Sequence, residues 1–293
     1  MIKLLINKNL YYVGGVVRDK LIGAKSIDTD LCYEGDAINF ANNSNFNIVK
    51  INQNFGTVRI VSEEKEIDIA STRIETYPKK GHLPKILKIG CSLKDDLIRR
   101  DFTVNAMARR TTDNELIDYY NGYKDLEQKT LNVLHENSFI DDPTRIIRGL
   151  KFAIRFNFSL SEKTKLLQDK YLNNINYNMS YHRIKKELIE TFNLNSPKAF
   201  DKFIKDGIYK LLGNDVKVPN IEGYNIKAAI KNHKNNIWFI YIAPFLVNQN
   251  NILLPLTRSE KRILEWVKRL QYQDKTNNTP IESIIIRGVL DNV

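Results

Sequence analysis

Two carboxylates lie close together near the start of the chain, at Asp28 and Asp30, after a hydrophobic segment that ends in Gly14-Gly15. Alternate residues of an extended strand share a face, so both carboxylates point the same way. They repel one another unless a cation lies between them. Carboxylate oxygens are the ligands that Mg²⁺ uses when it also holds substrate phosphates. The spacing therefore predicts a metal site, whereas an isolated Asp-x-Asp triplet is more often a solvated strand edge.

A third carboxylate, Asp68, lies in the strand pattern Glu66–Ala70. Ile67 and Ile69 face the core in this pattern, so Asp68 lies on the opposite, polar face. If this strand pairs near the strand of Asp28 and Asp30, Asp68 completes a carboxylate cluster and is a candidate third carboxylate or general base. The alternative is one exposed acid on an ordinary strand, and the residues alone leave both interpretations open.

Adjacent arginines precede an acid in the segment Arg99-Arg100-Asp101, with Asn105 one helical turn beyond. Donors and acceptors are thereby gathered around one point. The planar guanidinium group suits phosphate oxygens and ribose hydroxyls. This segment is a candidate nucleotide contact, and a set of surface ion pairs is the alternative.

A helix is predicted to open at Asp142-Pro143, because Asp142 is a good N-cap and Pro143 a good first helical residue. Each three-residue step drifts by about 60° around the helix. Asp142, Arg145 and Arg148 therefore share one broad polar face, and Lys151 lies further round. The capping role of Asp142 does not explain why Arg145 and Arg148 lie on the same face. An acceptor and a bidentate donor on a rigid helix can hydrogen-bond the edge of a base.

The elements that must position these residues divide the chain into a mixed part and a helical part. Up to residue 135 the patterns predict an α/β or α+β unit around one mixed sheet. From Glu136 onward strand patterning nearly disappears, so the whole chain is classed as α+β. Strands are predicted at Leu10–Val13, Ile27–Tyr33, Asn47–Ile51, Gly56–Val61, Glu66–Ala70, Met107–Arg110 and Glu115–Tyr119. Helices are predicted at Val16–Ile22, Asp36–Asn42, Pro143–Phe156, Glu162–Leu172, Tyr181–Phe192, Pro197–Leu212, Ile226–Val247, Ser259–Gln271 and Ile281–Leu290. The segment Arg73–Lys85 is predicted as a basic loop, either a lid over an anionic substrate or a solvated connection.

The composition favours a polyanionic partner. The chain has 45 Lys and Arg against 34 Asp and Glu, a net charge of +11. RNA or DNA is the first expectation and a membrane surface the second, and a lysine-biased proteome is the alternative.

Two cysteines and four scattered histidines offer neither a disulfide framework nor a zinc site, so we expect a reducing, cytoplasmic setting. No apolar stretch approaches the ~18 residues of a membrane span, and no signal peptide is expected.

Together these stretches resemble the class II tRNA nucleotidyltransferases, or CCA-adding enzymes, and their relatives the bacterial poly(A) polymerases. The matching motifs lie in order over residues 10–156. They are Gly14-Gly15-x-Val17-Arg18-Asp19, the Asp28 and Asp30 pair, Arg99-Arg100-Asp101-Phe102-Thr103-Val104-Asn105-Ala106, Asp118-Tyr119-Tyr120-Asn121-Gly122-x-x-Asp125-Leu126 and Asp141-Asp142-Pro143-Thr144-Arg145. Two departures stand out: Asp141 replaces the usual glutamate, and Lys151 replaces a common arginine.

The resemblance implies a polymerase-β-like nucleotidyltransferase head at 1–135, a helical neck at 136–195 and a helical body and tail at 196–293. It implies that the enzyme adds CCA to tRNA 3′ ends from CTP and ATP and releases pyrophosphate. Asp28 and Asp30 would bind two Mg²⁺ ions. Gly15 and Arg18 would touch the triphosphate, and Arg100 with Asp101 and Asn105 would lie at the ribose. Asp142 and Arg145, followed by Arg148 and Lys151, would read the base.

The tRNA would lie along basic helices and be held through its phosphates. Each of the cations concerned is by itself more typical of a solvated face. They are Lys163, Lys165, Arg183, Lys185, Lys186, Lys198, Lys202 and Lys205. The alternatives are a CC-adding or A-adding specialist, a poly(A) polymerase, or a catalytically silent RNA-binding protein. No obligate protein partner is expected.

Overall fold

The computed structural model describes residues 6–25, 29–44, 46–62, 65–230, 233–272, 276 and 278–291. The chain divides into two compact units. We call residues up to Asp141, together with Ser159–Thr164, the N-terminal unit, and Asp142–Phe158 with the residues from Lys165 onward the C-terminal unit. The three predicted domain ranges, 1–135, 136–195 and 196–293, stay predictions.

The strands all lie in the N-terminal unit as far as the structure describes the chain. They are β1 (Leu10–Val13), β2 (Asp30–Tyr33), β3 (Asn47–Asn52), β4 (Thr57–Ser62), β5 (Lys65–Ser71), β6 (Arg73–Thr76), β7 (Lys85–Ile89), β8 (Ala108–Arg110), β9 (Leu116–Ile117), β10 (Thr130–Leu131) and β11 (Ser159–Leu160). Seven of them form one sheet in the order β3-β4-β5-β2-β1-β8-β9. Strands β2 and β5 pair in parallel, while β3–β4, β4–β5, β1–β2, β1–β8 and β8–β9 pair antiparallel. The predicted mixed sheet is therefore confirmed.

Short helices cover both faces of this sheet. They are α1 (Gly15–Leu21), α2 (Ala37–Asn43), α3 (Leu93–Leu97), α4 (Gly122–Glu127) and α5 (Ser138–Asp141), with 3₁₀ turns at Gln53–Phe55 and Thr103–Asn105. On the α2 face the core includes Leu31 and Ile69. On the other face it includes Cys32 and Leu97. Because neighbouring residues of β2 enter opposite cores, the faces of the whole strand are fixed by apolar burial.

The segment predicted as a basic loop contains a hairpin. Strands β6 and β7 pair antiparallel, with Arg73 opposite Ile89 and Thr76 opposite Lys85. The alternation of apolar and polar residues in these strands is weak, and the partners that order β6 come from distant parts of the chain, as described below. The prediction of a continuous loop over Arg73–Lys85 was wrong, and the loop proper is limited to the residues between the two strands.

The described residues of the C-terminal unit form helices joined by turns and loops, with no strand among them. Its helices are α6 (Thr144–Phe156), α7 (Glu162–Leu172, whose first residues are counted with the N-terminal unit), α8 (Tyr181–Phe192), α9 (Pro197–Lys205), α10 (Gly223–Ile230), α11 (Ile237–Leu246), α12 (Arg258–Arg269) and α13 (Ile281–Asp291), with a 3₁₀ turn at Ile208–Leu212. Buried aromatic rings form its core: Phe192, Phe200, Phe203, Tyr241 and Phe245 are in contact with centroids 5.3–6.1 Å apart.

One predicted helix is in fact two. The apolar pattern predicts a continuous helix over Ile226–Val247, but α10 ends at Ile230 and α11 begins at Ile237. Asn236 adopts a left-handed conformation with φ 49°, which interrupts a helix and which asparagine tolerates better than most residues. Among the described helices, none is both long and apolar enough to cross a bilayer.

Candidate active site

The turn from β1 into α1 requires glycine at position 14. Gly14 has φ 71° and ψ −130°, a conformation that residues with a side chain avoid. A Cβ atom at this position would lie 2.8 Å from Nη1 of Arg100. Gly14 therefore allows the guanidinium group of Arg100 to lie against the backbone of the turn. Gly15, the other predicted phosphate contact, is the first residue of α1.

Arg18 is buried and hydrogen-bonded within the protein. Its side chain is 5% exposed. Nε and Nη2 donate to one oxygen of Asp19, at 2.9 and 2.6 Å. Nη1 donates to the side-chain oxygen of Asn105, and the amide of Asn105 donates to Asp101 at 2.9 Å. The predicted triphosphate contact Arg18 thus joins the predicted ribose residues Asn105 and Asp101 in one network. Asp19, which accepts from Arg18, belongs to the predicted motif but was given no role from the sequence.

A second buried network centres on Asp96, whose side chain is fully buried. Arg99 donates to it through Nε at 3.0 Å and Nη2 at 2.8 Å, and the amide of Arg73 donates at 3.1 Å. Glu75 accepts from Arg73 at 2.7 Å and from Arg99 at 3.1 Å. The network therefore ties β6 to the segment Arg99-Arg100-Asp101, and it explains why Arg73–Thr76 forms an ordered strand.

Electrostatics keep the Asp96 carboxyl ionised. Burial alone would raise its pKa, but the charges of Arg99 and Arg100 and the hydrogen bonds from Arg99 and the Arg73 amide outweigh burial and lower the pKa below its ordinary value. Arg100 makes one long contact to Asp96, at 3.4 Å, and its buried Nε has no hydrogen-bond partner in the described structure. Protein groups thus pair Arg100 less fully than Arg99, and its predicted ribose contact stays a prediction.

The register of the sheet brings two predicted carboxylates side by side. Strand β5 pairs in parallel with β2, and Asp68 is the direct partner of Asp30. Ile67 and Ile69 are buried in the core, so Asp68 lies on the opposite face, which also carries Asp30. The pairing that the sequence left open is therefore present. Asp28 lies outside the described residues.

Asp68 forms an ion pair with Arg59, which was not predicted from the sequence. Arg59 on β4 donates from Nε at 2.7 Å and from Nη2 at 2.8 Å to the two oxygens of Asp68. Its Nη1 also donates to Glu66 at 3.1 Å. These hydrogen bonds raise the pKa of Arg59 above its already high ordinary value. With both oxygens occupied, Asp68 is a poor general base in this arrangement, and that predicted role stays a prediction.

These side chains line a cavity of about 330 Å³ in the N-terminal unit. Two acidic and five basic side chains are among its described lining residues: Asp30, Asp68, Lys50, Arg59, Arg73, Arg99 and Arg100. An excess of cations beside a small carboxylate group suits a ligand with several negative charges, such as a nucleoside triphosphate.

The donors present fit Mg²⁺. Asp30 is exposed at the start of β2 and faces the cavity beside Asp68. Hard cations of this kind take carboxylate oxygens and keep further positions for water and substrate phosphates. The described residues, which exclude Asp28, hold no group of three or more His, Cys, Asp or Glu placed to ligate a metal. The predicted ligand Asp28 lies outside that search, so its share in a metal site stays a prediction.

The motif Asp118–Asp125 supports the site without lining the cavity. The Asp118 carboxylate accepts from the amides of Gly122 and Tyr123, both at 2.8 Å. Thr103 donates to Asp125 at 2.5 Å. A Cβ atom on Gly122 would lie 2.2 Å from the carbonyl oxygen of Thr103, so only glycine fits. The motif thus seats the 3₁₀ turn Thr103–Asn105, which carries Asn105.

The loop between β6 and β7 is attached to Asp141. Lys80 donates from Nζ to the Asp141 carboxylate at 2.5 Å, and the amide of Gly81 donates to the Asp141 carbonyl at 3.0 Å. The basic loop is thus anchored at the residue that precedes Asp142 in the chain. A lid function for this loop stays a prediction.

In the C-terminal unit, Asp142 and Arg145 lie at the start of α6 and are 6% and 4% exposed. One oxygen of Asp142 accepts from the amide of Thr144 at 3.2 Å and from its hydroxyl at 2.6 Å, although the N-cap of α6 is Pro143 and not the predicted Asp142. The other oxygen accepts from Arg183. Arg183 is thus paired with Asp142, and its predicted contact to RNA phosphates stays a prediction.

The next two cations of the predicted base-reading face are held by α8. Glu187 accepts from Arg148 at 3.2 Å and from Lys151 at 2.8 Å. Lys151 also donates to Glu190 at 2.6 Å, and its side chain is 11% exposed. Burial would raise the pKa of Glu190, but the hydrogen bond and charge of Lys151 lower it. Lys151 is therefore a structural cation between α6 and α8, a role that the sequence did not indicate.

The predicted RNA-binding cations fall into separate groups. Lys185 is 11% exposed, donates to Glu260 at 2.6 Å and to the Pro255 carbonyl at 2.9 Å, and lies 5.3 Å from the ring of Trp238. Its charge is paired inside the C-terminal unit, and its assignment to RNA phosphates stays a prediction. Four further cations are exposed or partly exposed but have acidic partners or neighbours: Lys163 with Glu136, Lys165 with Asp169, Lys202 with Asp206, and Lys186 near Glu190. Lys186, Lys198 and Lys205 are exposed and remain candidates.

Known proteins resemble this chain in sequence and in fold. Residues 10–132 match the family described as Poly A polymerase head domain. The A-adding tRNA nucleotidyltransferase of Aquifex aeolicus is 44% identical over 170 residues, which are 56% of this chain and 20% of that protein. The A-adding tRNA nucleotidyltransferase of Halalkalibacterium halodurans is 41% identical over 284 residues, 91% of this chain and 66% of that protein. The chain thus spans less than two thirds of the length of these relatives.

A solved structure described as a CCA-adding enzyme in an apo form aligns with a TM-score of 0.79 and 27% identity, over 95% of this chain and 74% of its own. The fold is that of a polymerase-β-like nucleotidyltransferase head joined to a helical part. The chain belongs to the family of tRNA nucleotidyltransferases and bacterial poly(A) polymerases. The resemblance and the fold class inferred from the sequence are therefore confirmed.

Proposed function

We propose that this chain is a template-independent tRNA nucleotidyltransferase that adds the terminal adenosine from ATP to the 3′ end of tRNA. The carboxylate pair Asp30 and Asp68, in a cavity lined by arginines, is the observation that supports nucleotidyl transfer. The similarity of 41% over 91% of the chain to an A-adding enzyme supports adenosine as the nucleotide.

The reaction joins the 3′ oxygen of the RNA to the α-phosphorus of ATP and breaks the bond from that phosphorus to the bridging oxygen, so pyrophosphate leaves. Mg²⁺ bound at the carboxylates, two ions by the family resemblance, would acidify the 3′-hydroxyl and balance charge on the leaving group. Arg99 and Arg100 both line the cavity and add positive charge beside the carboxylates. These fixed cations favour the tetra-anionic substrate before the reaction begins.

Recognition of the base is assigned to Asp142 and Arg145. Both side chains are almost fully buried, and Asp142 is oriented by Thr144 and Arg183. A carboxylate can accept from the exocyclic amino group of adenine or cytosine, and a guanidinium can donate to ring nitrogens or carbonyl oxygens. Adenine and cytosine carry an amino group at the position where guanine and uracil carry a carbonyl oxygen. A carboxylate fixed opposite that position meets a donor in the first two bases and a repelling acceptor in the other two, which disfavours uracil and guanine.

Full CCA addition from CTP and ATP is the second candidate. The loop between β6 and β7 has the pattern Tyr77-x-x-x-Gly81-x-Leu83-Pro84, which the resemblance associates with enzymes that switch from CTP to ATP. The solved CCA-adding enzyme that aligns over 95% of the chain also favours this candidate. Poly(A) synthesis and silent RNA binding are the remaining outcomes of the same assay.

The test supplies purified protein and Mg²⁺ with two tRNA substrates, one ending in CC and one lacking the whole CCA end. With labelled ATP we expect one nucleotide on the first substrate, and with CTP no addition to the second. Three nucleotides on the second substrate with both nucleotides present would establish CCA addition instead. Long adenosine tails would indicate a poly(A) polymerase, and tight tRNA binding without incorporation would indicate a silent scaffold.

A matched pair of variants tests the site itself. Asp30→Asn removes a carboxylate that faces the cavity, and we expect turnover to fall by about 10³-fold or more, since the interactions lost act on the transition state. Asp113→Asn makes the same chemical change at an exposed turn away from the cavity and should leave turnover intact. Equal activity of Asp30→Asn and wild type would refute the assignment.

A further inference from the structure

The cavity contains one arginine whose position gives it a role beyond binding the nucleotide. Arg59 and Asp68 are direct partners across β4 and β5, and Asp68 and Asp30 are direct partners across β5 and β2. The three side chains therefore form one row across three adjacent strands, which lie about 4.8 Å apart. The row places a permanent cation at one end, a shared carboxylate in the middle and the exposed Asp30 at the other end.

Arg59 and a divalent cation require the same oxygens. Arg59 donates to both oxygens of Asp68, at 2.7 and 2.8 Å. A metal ion that bridges Asp68 and Asp30 needs at least one of these oxygens with its lone pair directed at the metal. Two cations on one carboxylate also repel each other. The bidentate pair must open, at least in part, before Asp68 ligates a metal.

The surroundings of Arg59 make such an exchange feasible. The side chains of Arg59 and Asp68 are 42% and 50% exposed, and exposed ion pairs of this kind are weak. Glu66 already accepts from Nη1 of Arg59 at 3.1 Å. A second carboxylate therefore holds the guanidinium group when its hydrogen bonds to Asp68 break. Arg59 therefore keeps an acidic partner, Glu66, when Asp68 ligates a metal.

We propose that Arg59 is a resident counterion of the carboxylate site, which competes with the divalent cation for Asp68 and holds down the metal affinity of the nucleotide-free protein. Arg59 neutralises Asp68 beside Asp30 when no metal is bound, and metal binding transfers Arg59 to Glu66. This inference rests on the metal site of the proposed function and assigns to Arg59 a positioning role.

The test measures binding of Mn²⁺, a substitute for Mg²⁺, by the electron paramagnetic resonance signal of the free ion, without nucleotide or tRNA. We expect Arg59→Gln to bind Mn²⁺ about three- to tenfold more tightly than wild type, because it loses the competitor for the oxygens of Asp68. Arg59→Lys keeps the charge and should stay close to wild type. Arg110→Gln, a comparable arginine paired with Asp113 and Glu115, should bind as wild type does.

Two further variants separate the possible causes. In an Asp68→Asn background the competition no longer exists, so Arg59→Gln should change the affinity less than twofold. If it tightens binding as strongly there as in wild type, general electrostatics accounts for the effect and the proposal is overturned. Unchanged or weaker Mn²⁺ binding by a folded Arg59→Gln, verified by its circular dichroism, also overturns it. If Asp30→Asn binds Mn²⁺ as wild type does, the metal site of the proposed function is refuted directly.

Discussion

The buried carboxylate of Asp96 should contribute several kcal/mol to the free energy of unfolding of the N-terminal unit. It accepts hydrogen bonds from Arg99 at 2.8 and 3.0 Å and from the amide of Arg73 at 3.1 Å, and its side chain is fully buried. Asp96→Asn keeps the size of the side chain but removes the charge that neutralises Arg99 and Arg100, whose side chains are 18% and 19% exposed. Breaking a buried pair in this way costs about 3–5 kcal/mol, and the remaining amide oxygen still accepts one bond, so we expect about 3 kcal/mol.

Asp113→Asn is the matched control. Asp113 also accepts from an arginine, Arg110 at 2.9 Å, and from the amide of Glu115 at 3.0 Å, but its side chain is 52% exposed. Solvent screens such pairs, so the same substitution should cost less than about 1 kcal/mol. Urea unfolding followed by circular dichroism measures the two costs. Hydrogen exchange of peptides from β5 and β6 localises the loss to the N-terminal unit.

The pH dependence of Asp96→Asn has a definite sign. The pKa of Asp96 is lowered in the folded protein, so ionised Asp96 stabilises the fold at pH values above its unfolded pKa of about 4. That contribution is lost as the pH falls from there through the lowered pKa. The difference between wild type and Asp96→Asn should therefore be largest at neutral pH and shrink below about pH 4. A cost under about 1 kcal/mol at neutral pH, or an equal cost for Asp113→Asn, would refute the reasoning.

Two further pairs of variants compare buried with open positions. Gly122→Ala places Cβ 2.2 Å from a backbone carbonyl oxygen and should destabilise the N-terminal unit by more than about 3 kcal/mol. Gly288→Ala lies in open space within α13 and should stabilise the protein by about 0.5–1 kcal/mol. Thermal unfolding measures both changes. Lys185→Met should lower stability while leaving the salt dependence of tRNA binding unchanged, and Lys186→Met should lower the slope of log affinity against log salt by up to about 1 with stability unchanged.

Local patterns in the sequence were sufficient to place most elements. The alternation in Glu66–Ala70 and the apolar stripe after Pro143 are short-range signals, and both produced the predicted strand and helix. The side of β5 that carries Asp68 also followed from alternation, because Ile67 and Ile69 had to be buried. Features that depend on a single strand or a single helix could therefore be predicted from the order of the residues alone.

Partners separated by many residues were decided by the tertiary structure. Arg59 pairs with Asp68 because β4 lies beside β5, and nothing in the local pattern of either strand specifies that register. The sequence around Lys185 has the pattern of a helix with a surface cation. In the structure Lys185 pairs instead with Glu260, which is 75 residues away in the chain, and both side chains are largely buried. The sequence by itself determined which residue types are available for catalysis. The tertiary structure decided which of them are already neutralised, since charge pairing depends on distance in space and not along the chain.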